Sequence, residues 1–302
     1  MSGLAELATT AGIRLGKAGV GAMPEAAAYA LFDRFADAAY LRGGDQPARL
    51  RANYARVRPE LGRRELDALV GAGLRSYLRY YCEALRLQHL TRAQIDARVS
   101  VVGDGPVREQ LAAGRPVVCF LGHMGNWDLA GAWCSRALGR VVTVAERLKP
   151  AEVFEEFLAF RTSLGMTIIP LTGAGDPFAA LRAEAKGPVM IPLLADRDLT
   201  GGGVEVDFVG HRARMAVGPA ALALTTGAAL HPVTIRHVRR GPWAWGIEIT
   251  FHPQVLAPPA GNTRAKVVAM TQDCARALEG AVTRHTADWH MFQKVFVDEA
   301  AL

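Results

Sequence analysis

The stretch from Val117 to Asp128, VVCFLGHMGNWD, joins an apolar run to a glycine-containing turn and then to the start of a helix. The run VVCFL is uncharged and has the length of a buried strand. The residues that follow, WDLAGAWCSRAL, carry apolar side chains at helical spacing. The stretch therefore predicts a strand, a turn that carries His123, and a helix that begins near Trp127.

Short apolar runs alternate with helical segments from about Val101 onwards. Strands are predicted at 116–122, 140–146, 166–171, 188–195, 203–210, 231–238 and 243–251. Helices are predicted at 127–138, 151–165 and 176–187, with a buried helix at 215–230 and a last helix at 263–285. This alternation predicts an α/β fold with a central, mostly parallel sheet flanked by helices.

The first hundred residues have helical periodicity and no obvious strand, with helices expected at 4–23, 25–41 and 64–87. The chain shows no internal repeat and no low-complexity linker. We therefore expect one domain over residues 1–302, in which a helical part (1–100) packs on an α/β core (101–302).

The net charge of +6 is concentrated in one segment. Between residues 42 and 64, two acids accompany seven arginines, namely Arg42, Arg49, Arg51, Arg56, Arg58, Arg63 and Arg64. The segment is either a solvated helix surface or a patch for anionic partners such as lipid headgroups. Nucleic acid is not expected, because no aromatic-interleaved basic groove or zinc-finger spacing accompanies the arginines.

The remaining composition excludes several classes of protein. The four cysteines form no C-x-x-C pair and are expected to be buried reduced thiols in an intracellular protein. No apolar window reaches the roughly 20 residues of a membrane-spanning helix, and the N-terminus has no secretory pattern. No histidine or cysteine spacing fits a common metal site, so neither a metal nor another cofactor is expected.

His123 is the only histidine of the chain with an acid five positions later. If His123 lies on the turn and Asp128 on the first helical turn, the carboxylate can fold back beside the ring. A carboxylate on one imidazole nitrogen fixes the tautomer and prepares the other nitrogen to accept a proton. The spacing favours a general base, with a structural histidine beside a helix-capping aspartate as the alternative.

Polar side chains follow two further predicted strands. Asp196 and Arg197 come directly after PVMIPLLA, and Glu146 follows RVVTVA. In an open α/β sheet, ligands bind outside the carboxyl ends of the strands. We therefore expect these residues to lie at the same edge of the sheet as His123, with Asp196 as a candidate second carboxylate.

Several motifs together resemble one superfamily. GHMGNWDLAG after an apolar strand is similar to the H-x4-D/E motif of the glycerophospholipid acyltransferases. VAERLKP, LADRDLTGGGVEVDFVG, RMAVGPAALALTTGAALHPV and DWHMFQ resemble the branch that contains lipid A lauroyl acyltransferases and phosphatidylinositol mannoside acyltransferases. The resemblance covers the chain from about residue 10 to 295.

The resemblance implies an acyl-CoA-dependent O-acyltransferase that is peripheral on the cytoplasmic face of the plasma membrane. The expected donor is a long-chain acyl-CoA such as palmitoyl-CoA, used as a co-substrate, and the acceptor is the 6-hydroxyl of a mannose on a phosphatidylinositol mannoside. We expect a monomer whose partners are these substrates and an anionic membrane surface.

The resemblance and the strand-end pattern also assign site residues. His123 would be the general base supported by Asp128, with Asp196 as a further catalytic residue. Substrate and acyl-CoA would contact Glu146, Arg161, Arg197 and Asn126, the last near backbone N–H groups that could hold an oxyanion. The alternatives are another glycolipid acceptor of the lipid A type, an acyl-CoA thioesterase, and a lipid-binding protein without enzymatic activity.

Overall fold

The computed structural model describes residues 19–146, 151–171, 176–198, 201–242 and 244–297. Its main sheet consists of β1 (Val99–Val102), β2 (Val117–Leu121), β3 (Arg140–Ala145), β4 (Met166–Pro170), β5 (Val189–Leu194), β8 (Ala229–Arg239) and β9 (Trp245–Phe251). The strand order is β1-β9-β8-β2-β5-β3-β4, and only the β8–β9 pair is antiparallel. The predicted α/β fold with a mostly parallel central sheet is confirmed.

β2 is the central strand, and its sequence explains why. All five residues of VVCFL are buried, as expected for a strand covered on both faces by other elements. Valines 117 and 118 and Phe120 are fully excluded from solvent. The apolar run therefore places His123, two residues beyond its end, at the carboxyl edge of the sheet.

Helices cover both faces of the sheet. Their bounds are α1 (Glu25–Arg42), α2 (Asp45–Val57), α3 (Arg63–Leu87), α4 (Arg92–Arg98), α5 (Gly105–Ala112), α6 (Trp127–Ala137), α7 (Ala151–Ser163), α8 (Pro177–Glu184), α9 (Gly218–Thr226) and α10 (Thr263–Arg284). Several begin at side-chain caps: Asn262 Oδ1, for example, accepts the Ala265 N–H at 2.9 Å. The predicted helices after β2, β3 and β4 are confirmed to within a few residues.

Several parts of the chain differ from the prediction. The segment 215–230 is not one helix, because Met215 ends strand β7 and residues 229 and 230 begin β8, which leaves α9 between them. β7 (His211–Met215) pairs with β6 (Val204–Phe208) as an antiparallel hairpin. The arginines of β7 alternate with buried Ala213 and Met215, which is the two-residue period of a strand. The edge strand β1 was also missed, and the predicted helix at 4–23 lies mostly outside the described residues.

The N-terminal helices share a hydrophobic core with the sheet. Leu50 and Tyr54 of α2 and Val70 of α3 belong to the same cluster of buried residues as Val118 and Phe120 of β2. The expected packing of helices on the sheet is thus observed, while the assignment of one domain to residues 1–302 stays a prediction.

The segment that follows α10 runs beneath α2 and α3. Asn53 Nδ2 donates to the carbonyl oxygens of Met291 at 2.7 Å and Gln293 at 2.9 Å, and the Tyr54 hydroxyl donates to the Trp289 carbonyl at 2.9 Å. Both donor residues are fully buried. Helix α2 therefore fixes the path of the chain from Trp289 to Gln293.

Among the described helices, none is both long enough and apolar enough to cross a bilayer. The four cysteines are buried with free thiols, as predicted. Burial raises the pKa of Cys134 to about 12, so this thiol is protonated and is not a nucleophile at neutral pH.

Candidate active site

The turn after β2 has a shape that requires glycine at position 125. Gly125 has a φ of +57°, and a Cβ at this position would lie 2.8 Å from the carbonyl oxygen of Ile235. Asn126 follows as the N-cap of α6, where its Oδ1 accepts the Leu129 N–H at 2.9 Å. The turn thus redirects the chain from β2 into α6 and leaves His123 at its start.

His123 pairs with Asp196. The two strands that precede them are neighbours in register, with Leu121 opposite Leu194, so residues two positions later lie opposite each other. The distance from His123 Nδ1 to Asp196 Oδ1 is 2.5 Å, and the His123 backbone N–H donates to Asp196 Oδ2 at 2.8 Å. The Asp196 side chain is 1% exposed and that of His123 is 14% exposed. Solvent is therefore excluded from the carboxylate of the pair, whereas the imidazole is partly exposed.

Trp289 completes the surroundings of the carboxylate. Its indole Nε1 donates to Asp196 Oδ2 at 2.8 Å, so one oxygen accepts two N–H groups and the other faces the imidazole. Burial alone would raise the pKa of Asp196, but His123 and the hydrogen bonds outweigh it and lower that pKa. An ionised Asp196 holds the proton of His123 on Nδ1. Nε2 is then left as a proton acceptor, which is the requirement for a general base.

The predicted contact between Asp128 and His123 is wrong. Asp128 Oδ1 accepts Arg161 Nε at 2.7 Å, and Asp128 Oδ2 accepts the Tyr80 hydroxyl at 2.7 Å. The physical reason is position: Asp128 is in the first turn of α6, and its carboxylate is directed at α3 and α7. Asp196 takes the place beside the ring that the spacing assigned to Asp128.

The Asp128 site is a buried ion pair that joins three helices. The Asp128 side chain is 2% exposed and that of Arg161 is 17% exposed. Burial and the nearby carboxylate hold the pKa of Tyr80 well above its usual value, so the hydroxyl remains a donor. Burial would lower the pKa of Arg161, but Asp128 outweighs it and raises that pKa. The site holds α3, α6 and α7 together beside the pocket.

The Asn126 side chain is engaged within the protein, and its predicted contact with substrate stays a prediction. It is fully buried, its Oδ1 caps α6, and its Nδ2 donates to Glu83 Oε2 at 2.7 Å. The backbone N–H of the neighbouring Gly125 is also engaged, because it donates to the Asp288 carbonyl at 3.0 Å. Both groups therefore maintain the turn.

A cavity of about 530 Å³ opens beside His123. One wall runs between the sheet and α6 and is formed by apolar and small side chains, including Leu121, Ala130, Cys134, Met166, Met190 and Ile235. The polar lining includes His123, Asp128, Glu146, Arg161 and Arg197. The structure thus brings Glu146, Arg161 and Arg197 to one pocket with His123, as the strand-end pattern predicted for two of them. Their contacts with substrate stay a prediction.

A second group of polar residues lies behind the turn and was not anticipated from the sequence. Candidate ligand atoms of His237, Asp288 and His290 lie within 4.8 Å of one another. Ser76 Oγ lies among them, 2.6 Å from Asp288 Oδ1, 3.0 Å from His290 Nε2 and 3.2 Å from His237 Nδ1. These atoms already form hydrogen bonds with one another. No local spacing signals the group, because its members come from α3, β8 and the segment after α10.

Comparison with known proteins identifies the family of the chain. The family model for bacterial lipid A biosynthesis acyltransferases matches residues 6–297. A protein named phosphatidylinositol mannoside acyltransferase from Mycolicibacterium smegmatis is 39% identical over 293 residues, which are 97% of this chain and 91% of the relative. A protein of the same name from Mycobacterium tuberculosis H37Rv is 39% identical over 277 residues, 91% of this chain and 84% of the relative.

These matches extend over almost the whole chain and include the turn with His123 and the strand end with Asp196. They confirm the resemblance that GHMGNWDLAG and the later motifs indicated. The chain belongs to the bacterial lipid A biosynthesis family of acyltransferases.

Proposed function

We propose that the protein transfers a long-chain fatty acyl group, such as palmitoyl, from acyl-CoA to the 6-hydroxyl of a mannose on a phosphatidylinositol mannoside. The observation that carries this proposal is the His123–Asp196 pair at the opening of an apolar cavity. The acceptor class follows from the names of the relatives that are 39% identical to the chain.

In this mechanism His123 Nε2 takes the proton of the mannose hydroxyl while the oxygen attacks the thioester carbonyl. A tetrahedral oxyanion forms and then collapses, the carbon–sulfur bond breaks, and the CoA sulfur leaves with the proton that His123 holds. Asp196 keeps the proton on Nδ1 throughout and stabilises the transient imidazolium. Base catalysis of this kind contributes about 10²- to 10⁴-fold to the rate.

The cavity suits the acyl chain because its wall between the sheet and α6 is apolar. Burial of each methylene contributes about 0.8 kcal/mol, so a few methylenes suffice to hold the donor. Arg197 and Arg161 would face the phosphates of CoA or of the acceptor at the polar rim, where Glu146 would accept from sugar hydroxyls. For Arg161 this contact would use the part of the guanidinium that Asp128 does not engage.

Peripheral attachment to the anionic cytoplasmic face of the plasma membrane is part of the proposal. It is supported by the outer face of α1, where Phe35 is 51% and Leu41 is 83% exposed beside exposed Arg34 and Arg42. Within the basic segment, Arg51 pairs with Asp67 and Arg58 pairs with Glu60, so these two contribute less to an attractive charge than the exposed Arg42, Arg63 and Arg64. Each well-placed basic residue contributes about 1 kcal/mol to binding of an anionic surface.

The membrane part is tested by sedimentation with vesicles that contain anionic phospholipid. Replacement of Phe35 and Leu41 by serine should weaken binding at least tenfold, whereas Leu256→Ser should not, although Leu256 is 70% exposed. Equal binding of all variants would contradict the assignment of α1 as the lipid-facing surface.

The reaction is tested by release of free CoA from palmitoyl-CoA, with and without a phosphatidylinositol mannoside, for wild type and His123→Ala. Acceptor-dependent release that is lost in the variant supports the transferase and its base. Release that ignores the acceptor indicates a thioesterase. Release that requires a lipid A precursor instead would replace the acceptor, and activity that survives in His123→Ala would refute the assigned base.

A further inference from the structure

The His237 side chain is buried between two carboxylates. Its Nδ1 lies 3.0 Å from Asp288 Oδ1 and its Nε2 lies 3.4 Å from Glu83 Oε2. Its backbone N–H also donates to Asp288 Oδ2 at 2.9 Å. The side chain is 1% exposed, against 13% for Asp288 and 10% for Glu83. Each ring nitrogen of His237 therefore lies within ion-pairing distance of a different carboxylate.

The charges in this cluster follow from its contacts. Burial would lower the pKa of His237, but Glu83 and Asp288 outweigh it and raise that pKa to about 9. The same attraction from His237 overcomes burial at Asp288 and keeps its pKa far below the usual range. Burial and the cationic His237 lower the pKa of His290 to about 3, so His290 is neutral. Arg79, stacked on Trp245 at 3.6 Å, is a further cation that faces the cluster.

The Asp288 side of the cluster leads to the catalytic pair. The Asp288 carbonyl accepts the Gly125 N–H at 3.0 Å, and the His290 N–H donates to the His123 carbonyl at 2.8 Å. Trp289, between them, donates to Asp196. These three consecutive residues thus set the backbone on both sides of Met124, directly after His123, and orient the carboxylate that pairs with His123.

The Glu83 side of the cluster leads to the last residue of the same turn. Glu83 Oε2 accepts Asn126 Nδ2 at 2.7 Å, and Asn126 in turn caps α6. The turn from Gly122 to Asn126 is therefore held at Gly125 through Asp288 and at Asn126 through Glu83. The His237 side chain contacts both acids.

We propose that His237 is a positioning residue for acyl transfer, which holds the His123 turn at Gly125 through Asp288 and at Asn126 through Glu83. This inference rests on the proposed function of His123 as the base. Net stability is a weaker explanation for the cluster, because desolvation of buried ions offsets most of their mutual attraction. A base displaced by about 1 Å, in contrast, loses on the order of 10²-fold in rate.

The test compares His237→Gln, which removes the charge but keeps a polar side chain, with Trp289→Phe, which removes only the indole donor to Asp196. Asp273→Asn is the matched control, since Asp273 is an exposed acid paired with Arg276 on α10. For each folded variant we would measure kcat and KM for palmitoyl-CoA and the ¹⁵N signals of the His123 ring, which report its tautomer without any substrate.

We expect His237→Gln to lower kcat on the order of 10²-fold with KM changed less than twofold, and to weaken the Nδ1–H signal of His123. Trp289→Phe should lower kcat about tenfold with the same change in the ring signals, and the control should match wild type. A lower melting temperature with kcat per folded molecule and ring signals unchanged would overturn the proposal.

Two outcomes keep this inference separate from the proposed function. If His123→Ala is inactive while His237→Gln and Trp289→Phe match wild type, the positioning role is refuted and the base stands. If His123→Ala is active, the proposed base fails, and the ring signals alone then decide whether His237 orients His123. Should His237→Gln not fold, Trp289→Phe and Glu83→Gln decide, and full activity of both would refute the proposal.

Discussion

Replacing Asp196 by asparagine tests the proposed role of the His123–Asp196 pair, because the structure dictates which way the new amide must point. One oxygen of Asp196 accepts two donors that cannot be reversed, the backbone N–H of His123 and the indole N–H of Trp289. The amide oxygen of asparagine must take this position, since an NH₂ group there would face two donors. The NH₂ group is then directed at His123 Nδ1.

A donor at this place selects the wrong tautomer of the imidazole. Nδ1 must accept, so the ring proton moves to Nε2, where the base needs a free lone pair. Loss of the correct tautomer in a comparable catalytic arrangement lowers kcat by about 10⁴-fold. This corresponds to about 5.4 kcal/mol of activation free energy, at about 1.36 kcal/mol for each factor of ten.

The assay is acceptor-dependent CoA release at saturating palmitoyl-CoA, together with ¹⁵N spectra of the ring. Asp196→Glu should retain the tautomer, and its activity should lie between those of wild type and Asp196→Asn, because an additional methylene must fit into a buried site. Activity of Asp196→Asn within tenfold of wild type, with a normal melting temperature, would refute the argument that Asp196 sets the tautomer.

Further predictions concern stability, pH and donor length. Asp128→Asn leaves the buried guanidinium of Arg161 without its carboxylate and should lower the free energy of unfolding by about 3 kcal/mol in urea titrations; a loss below 1 kcal/mol would contradict a buried pair. The pKa of His237 is raised to about 9, so its stabilisation is complete below about pH 6.5, the unfolded value, and is lost as pH rises through 9. Urea unfolding from pH 7 to 10 should show this loss in wild type but not in His237→Gln, and parallel curves would exclude it. Gly125→Ala combines a φ of +57° with a Cβ contact of 2.8 Å, so we expect kcat to fall at least tenfold, and wild-type kinetics would show that the turn tolerates displacement. Cys134→Leu should fill part of the apolar wall and lower kcat/KM for palmitoyl-CoA relative to lauroyl-CoA at least tenfold, and an unchanged ratio would remove this wall from the acyl site.

The sequence predicts which edge of the sheet bears the site better than it predicts which side chains form hydrogen bonds with each other there. His123 and Asp196 each follow their strand by two residues, after Leu121 and Leu194, so equal spacing is a signal that both strands end at one level. What the sequence lacks is the adjacency of β2 and β5 in the sheet. With that adjacency known, the pair could have been predicted from the register alone.

The predicted contact of Asp128 with His123 was wrong because the partners of Asp128 are distant along the chain. Arg161 is 33 residues away and Tyr80 is 48 residues away, on two other helices. A spacing of five residues is a local signal, whereas the direction of a side chain at a helix start depends on what packs against that helix. The cluster around His237 escaped prediction for the same reason, since Ser76, Glu83 and Asp288 share no local pattern.

The hydrogen bonds between α2 and the segment after α10 have a consequence for folding during synthesis. Asn53 and Met291 are 238 residues apart, and Trp289 reaches Asp196 across 93 residues. Because ribosomes synthesise the chain from its N-terminus, the third donor to Asp196 is added only when nearly all of the chain exists. We therefore expect the His123–Asp196 pair to gain its contact with Trp289 only after the C-terminal segment has left the ribosome and packed against α2.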